Sequence, residues 1–215
     1  MIDVILAHPW LIAELSTPMR CLSWAPYGGG YGTTSRVLWR EVRNADLTES
    51  FDAIDWLANA MNSRRDADAV AMLTSREVAR YRLETAHSGQ TQAACLATVG
   101  LTNAERIGYR VAPPEIGTIN LLAVTDTPLN DTALLELMSI ATQARTAAVI
   151  EHGPDLPHGR ATGTGTDCIV VAAPPGDVAY AGLHTEVGEV LGRVVYDAIT
   201  RGTREWMATE GNTHA

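Results

Sequence analysis

The sequence predicts a layered α/β domain, with a mixed α+β arrangement as the alternative. Three observations carry this. Short apolar runs alternate along the chain with longer segments in which apolar residues recur every three or four positions, giving about seven strands interleaved with about four helices. One run, residues 169–173 (IVVAA), is apolar at every position, the pattern of a central strand covered on both faces. The chain of 215 residues is 46% hydrophobic, enough for a substantial core, and shows neither an internal repeat nor a dividing linker. A single domain is therefore expected over residues 1–208, followed by a polar tail over 209–215.

Taken in order, residues 1–24 read as short strands, with a turn around Pro18. The stretch PYGGGYGTT follows, and its glycines Gly28, Gly29 and Gly30 permit positive φ and close backbone approach to a ligand. It is equally a hairpin loop, and no Gly-Lys-Ser/Thr follows to make it a P-loop. Residues 37–42 form a strand candidate. Residues 44–62 carry Leu47, Phe51, Ile54, Leu57, Ala58 and Met61 at helical spacing, with Asp46 or Thr48 as the cap. Residues 69–73 read as a strand, 75–86 as a second helix, and 91–99 and 117–125 as further strands. Asn130 or Asp131 opens a long helix that Gly153 and Pro154 end. After the run 169–173, Thr185 caps a final helix whose Val187, Val190, Leu191, Val194, Val195 and Ala198 share one face.

The charge balance, 16 basic against 25 acidic residues, is −9 and argues against a nucleic-acid partner, because the basic surface for counterion release is missing. A small-molecule partner fits, and a homo-oligomer is compatible. Cys21, Cys95 and Cys168 are odd in number and widely spaced, which suits a reducing cytoplasm and neither a disulfide framework nor a zinc knuckle. No basic-then-apolar leader and no run of ~20 apolar residues is seen, so no membrane association is expected. The six histidines are scattered and no HEXXH occurs, so neither a metal nor another cofactor is expected. No GxSxG elbow occurs either.

The residues able to do chemistry concentrate at the two ends of residues 161–190. At one end, Thr164, Thr166 and Asp167 lie in a Thr/Gly turn before the buried strand. Such a turn offers backbone donors to an oxyanion and hydroxyls that donate, or attack if a base is near. At the other end, His184 precedes the cap Thr185, and Glu186 lies in the first helical turn, where the helix dipole favours its ionised form. His184 is the natural proton carrier near neutral pH, with Glu186 or Asp167 orienting it. Asn120 sits in an apolar strand, where a structural hydrogen bond is the commoner use of an amide. Ser23, beside the glycine turn, has weak support as a nucleophile, and the cysteines read as buried hydrophobes.

The runs TGTGTDCIVVAAP and YAGLHTEVGEVLGRVV closely resemble the adenosylcobinamide amidohydrolase family. So do RCLSWAPYGGG, ATVGLTNAERIG and GTINLLAVTDTPLNDTALLELMSIATQARTAAV, in the family's order over most of residues 20–195. The resemblance implies hydrolysis of the amide joining aminopropanol to the corrin propionate side chain, yielding adenosylcobyric acid for cobalamin salvage. On that reading His184, Glu186, Asp167 and Thr164 are the catalytic candidates. Gly28, Gly29, Gly30, Ser23, Asn103, Asn120 and Thr166 are the candidates for holding the corrinoid. One departure stands out: the family commonly has Thr-Glu-Ala-Lys in the long helix, where this chain has Thr142-Gln143-Ala144-Arg145. A neutral Gln143 cannot act as a base, which leaves a corrinoid-binding protein without hydrolase activity as one alternative, and an amidohydrolase of a different amide as another.

Overall fold

A computed structural model describes residues 1–42, 52–110 and 117–211. The elements in chain order are β1 (Ile2–Ala7), β2 (Trp10–Ser23), β3 (Gly30–Glu41), α1 (Ala53–Arg64) and β4 (Val70–Thr74). A single 3₁₀ turn (Val78–Arg80) leads to β5 (Arg82–Ser88), β6 (Thr91–Val99), the short β7 (Ala104–Glu105) and β8 (Ile119–Thr125). Then come α2 (Asp131–His152), the two-residue strands β9 (Asp155–Leu156), β10 (Gly159–Arg160) and β11 (Gly163–Thr164), β12 (Cys168–Ala173) and α3 (Glu186–Thr209).

One mixed sheet runs β4-β3-β2-β12-β8-β6-β5, with β1 paired to the first part of β2. The β3–β4 and β8–β12 pairs are parallel and the others antiparallel. β2 makes two separate ladders with β3, and its register shifts between Glu14 and Met19. The early part of β2 pairs with β1, and its last residues, 20–23, pair with β12. The break falls where the sequence suggests a turn near Pro18; the strand kinks there and continues, as a bulge allows.

Alternation along the strands shows how the sheet is used. Leu11, Ala13, Val37, Trp39, Val70 and Met72 from one half share a core with Leu96, Leu122, Val124, Cys168, Val170 and Ala172 from the other. The sheet therefore folds so that its halves face one another. Their opposite faces carry Ile12, Leu38 and Ala71, which meet Leu57 and Met61 of α1, and Ile119, Leu121, Ile169 and Val171, which meet α2 and α3. The result is helix, sheet, sheet, helix, the layered α/β domain the sequence predicts, with three α-helices among the described residues.

The helix ends follow from local chemistry. The Asn130 carboxamide accepts from Ala133 N at 2.9 Å to start α2, and Gly153 N returns to Val149 O at 2.7 Å to end it. Thr185 Oγ1 accepts from Gly188 N at 3.0 Å to start α3. The stripe Val187, Val190, Leu191, Val194, Val195 and Ala198 is buried, each Val or Leu contributing roughly 1.5–3 kcal/mol. By length and composition α2 could cross a membrane, but it packs on the sheet and on α3.

Two sequence expectations change. The cap of α1 is Asp52, whose carboxylate accepts from Ile54 N and Asp55 N at 3.0 Å each, whereas Asp46 and Thr48 lie outside the described residues. Residues 75–86 do not form a helix: after the 3₁₀ turn the chain becomes the edge strand β5. Its half-buried face carries Arg82, Glu84, Ala86 and Ser88, and β5 packs under α3. There Glu84 pairs with Arg201 at 2.9 Å and Arg82 pairs with Glu205.

Candidate functional site

The polar cluster lies where β8 and β12 begin. There the Thr/Gly turn of residues 163–167 wraps around the Asp167 carboxylate. Asp167 Oδ1 accepts from Thr164 N at 3.1 Å, from Ile119 N at 3.2 Å and from the Thr164 hydroxyl. Oδ2 meets Arg145 Nη1 at 2.7 Å, and the same nitrogen donates to Thr162 O at 2.7 Å. Asp167 and Arg145 side chains are only 7% and 12% exposed, so this ion pair sits inside the protein. Burial pushes the Asp167 carboxyl above the usual carboxylate range, while the Arg145 guanidinium and the Thr164 and Ile119 donors pull it back down. All of these partners are donors, the set that suits an ionised carboxylate.

The turn is braced from three directions. Asn103 Oδ1 accepts from Gly165 N at 2.9 Å, and its Nδ2 lies 3.4 Å from Thr166 Oγ1. Thr166 Oγ1 donates to Gly117 O at 2.8 Å. The Thr118 hydroxyl is shared between Thr166 O at 2.8 Å and Asn120 Oδ1 at 3.1 Å. Asn120 Nδ2 crosses to Leu73 O at 2.6 Å, tying β8 to the end of β4 in the facing half-sheet. Asn120 therefore has the structural bond that its apolar strand suggests.

Over this floor opens a cavity of about 630 Å³, lined by Trp24, Pro26, Leu73, Ser75, Thr166 and Asp167 among others. Trp24 Nε1 donates to Asp167 O at 2.6 Å, while 48% of the residue stays exposed. An indole anchored at its nitrogen and open on its surface is a platform for a flat ligand. Cys168 also lines the cavity, and burial, with the neighbouring Asp167 charge, pushes its thiol up to about 12. It stays protonated at neutral pH and is a poor nucleophile. Among the described residues no three His, Cys, Asp or Glu side chains are grouped as a metal site.

The structure brings together Asp167, Thr164, Thr166, Asn103 and Asn120. It does not bring His184 and Glu186 to them. Asp167 precedes β12, whereas His184 follows it, and a six-residue strand at about 3.3 Å per residue puts roughly 20 Å between its ends. Glu186 confirms the polarity: its carboxylate lies against Gly89, in the β5–β6 turn. That turn is at the edge where β8 finishes, since Ala93 pairs with Thr125. His184 is exposed at that far edge, so the expected relay of His184 with Asp167 and Glu186 is corrected to two separate ends of one strand.

The remaining expected residues are placed as follows. Gly28 has φ +69, and a Cβ there would fall 2.6 Å from Ala69 O, so the turn is packed on the chain leading into β4. A Cβ on Gly29 would meet Ala25 O at 2.5 Å, and Gly30 has open space around it. From this stretch it is Trp24 and Pro26 that line the cavity. Ser23 is buried, and its Oγ accepts from Ala25 N at 3.4 Å. Gln143 is exposed on α2, where it donates to Ser139 Oγ at 2.9 Å, and takes no part in the cluster.

Sequence reasoning missed Arg145 and Gly163. Arg145 lies two positions after Gln143, on the turn of α2 that faces the cluster. A Cβ on Gly163 would sit 1.8 Å from Arg145 Nη1 and 2.5 Å from Asp167 Oδ2, so only glycine leaves the ion pair its space. The available signal was charge: Arg145 falls among Ala141, Ala144 and Ala148 on the apolar side of the helix, where a cation needs a buried acid.

Comparison with known proteins bears on this site. The family model described as adenosylcobinamide amidohydrolase matches residues 2–211. A curated adenosylcobinamide amidohydrolase from Halobacterium salinarum is 34% identical over 157 residues, covering 67% of this chain and 62% of its own length. One from Methanosarcina mazei is 29% identical over 116 residues, 49% of this chain and 53% of its own. An uncharacterized protein of Methanocaldococcus jannaschii is 39% identical over 92 residues, 41% of this chain and 36% of its own. The chain thus spans less than two thirds of the length of these relatives. Among solved structures, a Burkholderia sp. beta-aminopeptidase aligns with TM-score 0.46 at 12% identity, over 90% of this chain and 78% of its own. An L-aminopeptidase D-Ala-esterase/amidase from Ochrobactrum anthropi aligns with TM-score 0.40 at 13% identity, over 94% and 82%. On the match across residues 2–211, the chain belongs to the adenosylcobinamide amidohydrolase family.

Proposed function

We propose that this protein hydrolyses the amide joining aminopropanol to the corrin propionate side chain of adenosylcobinamide, releasing aminopropanol and adenosylcobyric acid for cobalamin salvage. Family membership over residues 2–211 is the observation that carries the reading. The cavity supports it: about 630 Å³ lies within the range of small-molecule sites and suits the amide arm, with the exposed Trp24 ring at the edge for the macrocycle. The acidic charge balance is compatible with a small-molecule partner.

The chemistry is assigned to the Thr164–Asp167–Arg145 cluster. Water adds to the amide carbonyl carbon as the Asp167 carboxylate, at the floor of this cavity, takes its proton, while the Thr164 hydroxyl, on the far side of the turn, holds that carboxylate in place. Burial disfavours the ionised form of Asp167, and Arg145 favours it. The amides of Thr166 and Asp167, which have no acceptor among the described residues, meet the developing oxyanion. The C–N bond then breaks, and the proton goes to the departing amine. Gln143 lies outside this cluster, so its neutrality does not bear on the chemistry.

The test is to incubate the protein with adenosylcobinamide and measure free aminopropanol. Release is expected, and Asp167→Asn should lower the rate at least ~100-fold, with the fold checked by circular dichroism. Corrinoid binding with no release would replace the hydrolase with a carrier.

A further inference from the structure

A second cavity, of about 530 Å³, lies on the other side of the Thr/Gly turn, between α2 and the loop that follows β7. Its wall carries Arg106, Arg110 and Arg145 against one acid, Glu105, in a chain whose formal charge is −9. Among the described residues neither Arg106 nor Arg110 has a carboxylate partner; Arg106 Nη1 donates only to Arg160 O, at 3.0 Å. Arg145 gives Nη1 to Asp167 and Thr162, but its Nε is buried with no acceptor. A buried donor left without an acceptor is unusual in a folded protein.

The threonines of the wall sharpen the point. Thr142 donates to Met138 O at 2.8 Å, Thr162 accepts from Ile107 N at 2.8 Å while reaching Glu105 O, and Thr164 donates to Asp167. Thr146 is the wall hydroxyl that remains for a ligand. The guanidinium groups of Arg106 and Arg110, neither with a carboxylate partner among the described residues, and one hydroxyl around a concave space, with the Arg145 charge behind them, match the planar, bidentate recognition of phosphate or carboxylate oxygens. We infer that this cavity is a binding site for an oxyanion group of phosphate type, separate from the cavity under Trp24. The inference stands on the wall of the cavity and is independent of which reaction the protein performs.

Calorimetric titration of the intact protein with inorganic phosphate at fixed ionic strength tests it. One saturable site is expected, weakened at least about tenfold in Arg106→Gln/Arg110→Gln. A second measurement needs no variant: phenylglyoxal labels exposed arginines, and phosphate should protect Arg106 and Arg110 from it, read by peptide mass mapping. Absence of saturable binding up to about 10 mM phosphate, or unchanged labelling at saturation, overturns the inference.

Discussion

Replacing Gly163 with Ala tests the buried ion pair by the smallest change available. The new methyl would be placed 1.8 Å from Arg145 Nη1 and 2.5 Å from Asp167 Oδ2, well inside van der Waals contact with both partners at once. The Arg145 side chain is the element free to move, and its movement strands a carboxylate that is only 7% exposed. Removing one partner of a buried pair costs about 3–5 kcal/mol, and partial rehydration from the arginine-lined cavity argues for the lower end, ~3 kcal/mol. For a chain of this size that corresponds to a fall in Tm of about 6–12 °C. Gly192→Ala is the control. Its Cβ would lie 3.4 Å from Ile140 Cγ2 inside α3, so helix propensity governs and stability should rise by roughly 0.5–1 kcal/mol. Thermal melts followed by circular dichroism, with aminopropanol release measured alongside, read both effects. A Gly163→Ala protein that melts within about 2 °C of wild type would show that Arg145 and Asp167 contribute no such coupling, and the account of the site would fail.

Three further outcomes are expected. His184→Ala should keep turnover within about threefold of wild type, because His184 lies at the far end of β12; a loss of ~100-fold would restore it as the proton carrier. Asp167 has its folded-state pKa raised by burial, so its contribution to stability is greatest below the unfolded value near ~4 and declines as pH rises through the folded value. The stability of wild type relative to Asp167→Asn should accordingly fall as pH is raised from about 4, and denaturant melts showing a rise would reverse the assigned shift. Cys21, Cys95 and Cys168 are all buried, and Cys95 and Cys168 are held protonated by burial. The native protein should therefore resist thiol reagents and keep its turnover, all three thiols reacting only after unfolding; rapid inactivation by iodoacetamide would point to Cys168 in the cavity.

Periodicity made the interior of this fold legible. The run 169–173 and the 187–198 stripe identified β12 and α3 because both are decided by burial, which the side chains themselves record. β5 was hidden for the opposite reason. Its half-buried positions Arg82 and Glu84 are charged, since what covers them is the Glu205 and Arg201 side of α3, and only the tertiary partner explains them. At the site, the Thr164–Asp167 turn was readable as a local hydrogen-bonding motif. The link to Arg145 was not, because it joins residues brought together by helix packing. His184 misled because nearness in sequence was taken as nearness in space, across a strand that separates its two ends.

The double pairing of β2 also governs the order in which the protein can be built. The ladder with β3 joins residues close in sequence and can form while the chain is still emerging from the ribosome. The ladder with β12 pairs Arg20 with Ala173 and must wait until about 150 further residues have been made. Until then the inner face of the early sheet, with Leu11, Ala13, Val37 and Trp39, has no β8 or β12 to cover it. Closing such a distant contact is slow, and an apolar sheet face left open meanwhile is a template for association with other chains. Yield on expression should therefore depend more on how quickly β12 reaches β2 than on the stability of the finished molecule.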